Sequence, residues 1–239
     1  PPRSLNTTLT VIVPCHNEAE NLARYENELF PALGELGLPV ELVLVDDGST
    51  DATADKAAEL VLADKNVRFV RLSSNRGLGG ALRAGFAAAR GEWIATLDAD
   101  LTFPPAALKD MLAAARETGA DLVAGSPYLR PGDMEEVPWT RRGPSLMMNA
   151  LYRGLFGRTL TAYTPIFRLY RAELLKTLPL SSEGFEINAE IAARALRSSR
   201  RVAEIPVPLL ARTAGVSKLR RRRELRRHLV LIARLMMGH

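Results

Sequence analysis

The 239-residue chain has one cysteine, three histidines and no long apolar run. A lone Cys15 excludes an intrachain disulfide framework. With so few histidines it also argues against a Cys/His zinc site, and a reducing compartment fits best. A bilayer-crossing helix needs about 20 consecutive apolar residues, and no stretch approaches that. No N-terminal signal pattern is present either, so the chain reads as non-integral. One shortage is regional. Residues 212–239 contain nine Lys/Arg against a single acid, Glu224, a charge of +8 in a chain of net charge +5, which leaves −3 on the first 211 residues. The basic character therefore belongs to the tail, and a nucleic-acid partner is not expected.

What is present is ordinary globular material, 47% hydrophobic and 25% charged, long enough for one core domain with an appendage. Short β-rich apolar runs at 9–14, 40–45, 67–72, 93–97 and 121–124 alternate with helix-length segments at 18–36, 51–64, 78–90 and 105–118. Pro31 should kink or divide the first helix. Such alternation implies an α/β fold: a mainly parallel, Rossmann-like sheet with helices on both faces and ligands beyond the carboxyl ends of its strands. After 125 the rhythm changes. Residues 126–139 read as a loop, a candidate lid, followed by a helix near 143–157, a strand near 163–170, a helix near 185–198 and a strand near 201–207. The expected division is a core domain over 1–211, with halves at about 1–125 and 126–211, and a tail over 212–239.

Four polar clusters, "PCHNE", "DDGSTD", "SSNRGLGGALRAG" and "DADLT", each follow one of the first four strands, so all fall on one edge and make a composite site the economical reading. In "DADLT", Asp98 and Asp100 point to the same side of an extended chain, with Thr102 to follow. Paired carboxylates repel unless a cation lies between them, and all-oxygen ligands suit Mg²⁺ or Mn²⁺, which keep waters and bind phosphates. A solvated strand end or a helix cap is the bland alternative. In "DDGSTD", Ser49, Thr50 or Asp51 can cap the next helix, which leaves Asp46 for a base edge or a ribose. "NRGLGG" sets Arg76 beside glycines at a helix start, a favourable place for an anion. Cys15 and His16 adjoin and face opposite ways, as packing or pocket-wall residues do.

From "TVIVPCHNEAENL" through "LVDDGSTDAT", "NRGLGGALRAGF", "GEWIATLDADLTFPP" and "FRLYR" to "GFEINAEIAARA" and "VPLLARTAGVSKL", the succession of motifs resembles the family 2 glycosyltransferases. Within them it is similar to the polyprenyl-phosphate (dolichol-phosphate) mannose or glucose synthase branch. The resemblance spans about residues 9–218. It implies a GT-A fold, a GDP- or UDP-hexose donor, Mg²⁺ or Mn²⁺, and inversion at the anomeric carbon. It also implies a nucleotide pocket from Pro14, Asn17, Glu18, Asp46 and Asp47, with Arg76 nearby. Asp98 and Ala99 would meet the ribose or a metal-bound water, and Asp100 would hold the metal, with Thr102 beside it. Two motifs depart from the branch: Pro127 stands where "GS-x-Y" usually carries arginine, and "PIFR" replaces "SGFR". Arg130, Arg141 and Arg142 are the candidate substitutes.

The acceptor is argued from proton accounting. A sugar hydroxyl must lose a proton and needs a carboxylate base, whereas a lipid phosphate arrives ionised and needs cations. Arg168, Arg212, Ser217 and Lys218 match phosphate-handling positions of the branch. Glu186 and Glu190, four apart on one helix face, offer the base that a hydroxyl acceptor would require, or else a solvated helix edge. In the tail, over 219–237, Leu225, Leu229, Ile232 and Met236 share one helical face and Arg220, Arg223, Arg227 and Arg234 the opposite one. That pattern suits a basic amphipathic helix on an anionic membrane surface, or one packed on its own domain. The leading expectation is hexosyl transfer to a polyprenyl phosphate by a peripheral protein on the cytoplasmic side of the membrane. The alternatives are a hydroxyl acceptor and a silent nucleotide-sugar-binding protein.

Overall fold

In the computed structural model, residues 8–134, 137, 139–212 and 221–238 are described, the side chains of 139–141 and 221–222 excepted. The strands are β1 (Leu9–Cys15), β2 (Val40–Asp46), β3 (Val67–Arg71), β4 (Trp93–Thr96), β5 (Leu122–Ser126), β6 (Arg168–Arg171) and β7 (Val202–Pro206). They form one sheet in the order β3-β2-β1-β4-β6-β5-β7. Pairing is parallel between β1 and β2, β1 and β4, β2 and β3, and β5 and β7, while β6 runs antiparallel to both β4 and β5. The strand foreseen at 163–170 is thus confined to its end and reversed. From β3 at one edge the chain crosses over β2 and β1 to β4. The strand order reverses beside β1, and a crevice opens there at the carboxyl ends.

The helices are α1 (Ala19–Leu22), α2 (Tyr25–Gly34), α3 (Thr53–Ala63), α4 (Gly77–Ala88), α5 (Leu108–Thr118), α6 (Trp139–Phe156), α7 (Ala172–Thr177), α8 (Ile187–Arg197) and α9 (Arg221–Met236). The central strands are apolar throughout because helices cover both faces. Alternate residues of β1 divide between the two sides. Leu9, Val11 and Val13 pack with Tyr25, Leu29, Leu60 and Met111, whereas Ile12 packs with Leu82, Tyr152, Ile191, Leu231 and Leu235. The break in the first helical segment falls at Ala23–Arg24, not at Pro31, which α2 accommodates. Tight i to i−3 bonds at 21, 24 and 27 make that corner.

Two expectations about α4 and α9 are corrected by packing. The glycines at the start of α4 serve close approach. The Gly79 amide donates to the Glu183 carbonyl at 2.8 Å, and a Cβ there would strike the Ser182 carbonyl. Helix α9 joins the core through Leu231, Leu235, Ile232 and His228, the last bonded through Nδ1 to the Tyr152 hydroxyl at 2.9 Å. Of the apolar face read from the sequence, Ile232 is buried while Leu225, Leu229 and Met236 stay outward at 41%, 51% and 63% exposure.

Among the described residues, Arg168 is the largest fully buried side chain. Its guanidinium donates to the carbonyls of Asn188, Ala162 and Tyr163 at 2.5, 3.0 and 2.7 Å. It sutures the 162–164 segment to the start of α8 and does not line the cleft, so the expected phosphate contact at Arg168 is replaced by a structural one. Removing it orphans buried carbonyls at a cost of order 1–3 kcal/mol each at most. Arg168→Met is expected to lower the midpoint of urea unfolding by the equivalent of about 2–3 kcal/mol, measured by circular dichroism.

Candidate active site

A cleft of about 930 Å³ opens over the carboxyl ends of β1, β2 and β4, within the range that holds a small-molecule ligand. Pro14, Asn17 and Glu18 contribute from the end of β1, Asp47 from β2, and Asp98, Ala99, Asp100 and Thr102 from β4. Arg212 reaches in from the far side, with Arg223 and Arg227 from α9. Three of the four polar clusters therefore line one cavity, and Asn75, Gly77 and Leu78 bring in the fourth.

Backbone-to-side-chain bonds lock these loops together. Asn17, whose φ of 53° is left-handed, donates its amide to Ser49 Oγ at 2.9 Å and accepts the Thr50 amide at Oδ1 at 2.8 Å. The Glu18 amide donates to Thr53 Oγ1 at 2.7 Å, and Glu18 Oε2 accepts Asn21 Nδ2 at 2.6 Å. Asp47 accepts the Arg76 amide at 2.6 Å while donating its own amide to the Cys15 carbonyl at 2.8 Å. Burial pushes the Asp47 carboxyl up, against the pull of the Arg76 and Gly77 amides. His16 Nδ1 lies 3.0 Å from the Asp47 carbonyl, and His16 and Cys15 form part of the cleft wall. Asp51, two residues ahead of Thr53, accepts the Thr53 amide at 3.0 Å, while the cap position of α3 is Ala52.

The acidic pair is held from several sides. Tyr25 donates its hydroxyl to the Ala99 carbonyl at 3.0 Å, anchoring the turn between the two aspartates to α2. Asp100 is nearly enclosed, at 5% exposure. Its Oδ1 accepts the amide and hydroxyl of Thr102 at 3.2 and 3.0 Å, and its Oδ2 lies 2.6 Å from Arg212 Nε. Asp98 sits in the same desolvated corner. Burial first, and then the Asp100 charge, push its carboxyl up to about 8, opposed by Arg212.

A divalent ion fits this donor set. Two carboxylates set close together in a partly desolvated corner are relieved when a dication enters between them. Among the described residues no three His, Cys, Asp or Glu side chains cluster as a complete site. The remaining ligands would therefore be water and ligand oxygens, as Mg²⁺ and Mn²⁺ prefer. The Thr102 hydroxyl lines the cleft and donates to Asp100, orienting that carboxylate.

Other sequence candidates lie elsewhere. Asp46 is fully buried and off the cleft, accepting the Ser49 amide at 2.9 Å with Arg71 Nε 3.4 Å from its other oxygen. It shapes the turn rather than meeting a base. The Arg76 side chain is exposed and off the cleft wall. Arg142 Nε donates to the Val137 carbonyl at 2.5 Å, bracing the loop. Arg141 contributes main chain to α6, and Ser217 and Lys218 lie outside the described residues. Glu186 and Glu190 are buried, not a solvated helix edge, and neither lines the cleft. Glu190 accepts bonds from Ser181, Ser182 and Arg194, at 2.8 Å for the Ser182 amide and 3.1 Å for Arg194 Nε. Glu186 Oε1 accepts the Gly184 amide at 3.1 Å. The sequence reading missed Phe185, Glu224, Ser145 and Thr164, all on the cleft wall, and it placed Arg223 and Arg227 on the polar face of the tail helix without bringing them to the cleft. Helical periodicity ranks faces by polarity, and both faces of α9 are mixed.

The fold and cleft define a class: an α/β protein of doubly wound type with an acidic pair in a cleft at the strand-order reversal. Residues 10–178 match the model of Glycosyl transferase family 2. The chain is 36% identical over 221 residues to polyprenol monophosphomannose synthase of Mycolicibacterium smegmatis, covering 87% of this chain and 80% of that protein. It is 33% identical over 214 residues to undecaprenyl-phosphate mannosyltransferase of Micrococcus luteus, covering 87% and 86%. It is also 33% identical over 214 residues to dolichol-phosphate mannosyltransferase of Pyrococcus furiosus, covering 89% of this chain but 59% of that protein. A crystal structure of glucosyl-3-phosphoglycerate synthase from Mycobacterium tuberculosis, with Mn²⁺, UDP and glucosyl-3-phosphoglycerate, superposes with a TM-score of 0.66 at 22% identity, over 97% of this chain and 79% of that one. The chain belongs to glycosyl transferase family 2: it is a glycosyltransferase with the GT-A fold.

The raised Asp98 carboxyl gives a pH dependence. The native state keeps a proton that the unfolded chain, with an ordinary value of 3.8, has released, so stability falls as pH rises from about 4 through 8. Asp98→Asn removes that penalty. Differential scanning calorimetry with chelator is expected to show a Tm gain of several degrees at pH 8 and a smaller one at pH 5.

Proposed function

We propose that this glycosyltransferase moves a hexose, mannose or glucose, from a nucleoside diphosphate to a polyprenyl phosphate at a membrane surface. One observation carries the acceptor assignment. Three arginines, Arg212, Arg223 and Arg227, line the cleft that holds the acidic pair, while the two glutamates that a hydroxyl acceptor would call on, Glu186 and Glu190, do not. The names of the M. smegmatis, M. luteus and P. furiosus relatives support the same acceptor class.

In this reading Pro14, Asn17, Glu18 and Asp47 bound the nucleotide pocket, and Asp98 and Asp100 hold Mg²⁺ or Mn²⁺. An ion held there would supply Lewis-acid neutralisation of the charge on the departing diphosphate, a contribution worth several kcal/mol. An acceptor phosphate oxygen, already ionised, forms the new bond to the anomeric carbon as the bond to the nucleoside diphosphate breaks, with inversion. No side chain has to remove a proton. Arg212, with Ser217 and Lys218 in the segment after it, steadies the acceptor phosphate through charge-assisted bonds. Met134 and Val137, whose side chains are buried against the cleft, give it an apolar wall that keeps water from the reacting groups.

The membrane contact is assigned to the outward stripe of α9, Leu225, Leu229 and Met236, beside the arginine-rich start of the helix. Helix α6 offers a second outward stripe in Met147, Leu151 and Leu155. No helix among the described residues is long and apolar enough to cross a membrane. Such stripes suit a helix lying in the headgroup layer.

Two measurements test this reading. Transfer of labelled hexose from GDP- and UDP-sugars to polyprenyl phosphate, set against free polyprenol, is expected only for the phosphate, with Asp100→Ala lowering it about a thousandfold. Efficient transfer to polyprenol, or turnover unaffected by Asp100→Ala, would reject it, and nucleotide binding without turnover on any acceptor would favour a silent binding protein. In flotation with anionic vesicles, Leu225→Glu with Leu229→Glu is expected to cut the bound fraction severalfold with little change in Tm, because both side chains are already exposed.

A further inference from the structure

Both oxygens of Asp100 are engaged. Oδ1 takes the amide and hydroxyl of Thr102, and Oδ2 takes the guanidinium of Arg212 at 2.6 Å. A divalent ion bound at Oδ2 would sit within a few ångströms of that guanidinium, and like charges so close in a desolvated corner repel strongly. The ion and Arg212 therefore compete for one carboxylate.

Arg212 is also the end of a strap. The Val207 amide donates to the Ser126 carbonyl at 3.0 Å, the Leu209 amide to the Asp133 carbonyl at 2.8 Å, and the Leu210 amide to the Thr102 carbonyl at 2.9 Å. Thr102 is the residue whose hydroxyl orients Asp100. Two contacts, Leu210 to Thr102 and Arg212 to Asp100, thus fasten the strap directly to the acidic turn. Whatever takes Asp100 from Arg212 loosens the last residues of the strap as well.

We infer that Arg212 is an internal stand-in for the divalent ion: it neutralises Asp100 until the ion arrives with a nucleoside diphosphate, and its release then frees the guanidinium and the 209–212 strap to receive the acceptor phosphate. This rests on Asp98 and Asp100 being the cation site. Charge stays matched at each stage. The carboxylate exchanges a guanidinium for a dication, and the planar guanidinium exchanges a carboxylate for phosphate oxygens, which its fork geometry fits equally well. Donor loading precedes acceptor capture because one side chain serves both in turn. Arg212 is here a positioning residue, acting on the metal site through Asp100.

The test is Mn²⁺ binding to the full chain, followed by the electron paramagnetic resonance of free Mn²⁺ without nucleotide. Arg212→Ala is expected to bind Mn²⁺ at least about tenfold tighter than the wild type, a typical coupling between competing ligands. Arg223→Ala removes the same charge from the cleft wall without touching Asp100 and should change affinity less than about threefold. In the wild type, Mn²⁺ with GDP or with UDP should speed amide hydrogen exchange at Leu210, while Mn²⁺-free nucleotide should not. Arg212→Ala binding Mn²⁺ no more tightly than the wild type, or Leu210 becoming more protected on Mn²⁺–nucleotide binding, overturns the stand-in role while Asp100-dependent Mn²⁺ binding persists. Mn²⁺ binding that is indifferent to Asp100→Asn overturns the cation site itself, and the inference with it.

Discussion

The molecule is organised around the repulsion between two carboxylates that one backbone turn forces together. Asp98 and Asp100 follow β4, the strand paired with β1 on one side and β6 on the other, and the Leu97 amide still donates to the Ile12 carbonyl at 3.1 Å, so the acidic turn leaves the middle of the sheet from a fixed point. Left alone, such a pair would be destabilising, and the raised Asp98 carboxyl records the strain of holding both in a dry corner. The groups around it answer that charge or hold the turn: Thr102 and Arg212 on Asp100, Tyr25 on the intervening carbonyl, and Arg223 and Arg227 on the cleft walls.

The surrounding scaffold keeps that geometry stiff by the same device throughout. Loops from different strands bond one another's main chain with short polar side chains: Asn17 to Thr50, Thr53 to Glu18, Asp47 to Arg76 and Glu190 to Ser182. Each satisfies a backbone group that regular structure leaves unpaired. Asn17, Glu18 and Asp47 stand at the mouth of a nucleotide-sized cavity and yet are not free to meet a ligand through the atoms that bind their neighbours. The ends of the strands thus carry two populations of polar residues, one that faces the cleft and one that fixes its walls. In sequence they are interleaved and chemically alike.

That interleaving explains how far the sequence could be read. The alternation of elements through residue 124, the parallel core, and the placement of four clusters on one edge were legible, because period-two and helical patterns report directly which faces are covered. Asp98, Asp100, Asn17 and Glu18 were found for the same reason: a strand end at a parallel sheet's carboxyl edge has few other places to go. The reversal of β6 was not legible, since an apolar run carries no direction. Pro31 was misjudged because a proline marks a cost, whereas the actual corner at Ala23–Arg24 was made by local bonds around Asn21.

The sequence by itself determined the fold class, the edge on which chemistry would be placed, and the acidic pair, since each follows from periodicity and local chain geometry. Only the tertiary structure decided the part played by each charge. Arg168 and Glu190 went into the core as sutures, Asp46 into a turn, and Arg223 and Arg227 toward the cleft. Arg212 met Asp100 across 112 positions of chain. Local pattern assigns a side chain to a face of its own element, but what lies opposite that face is set by packing between elements distant in sequence.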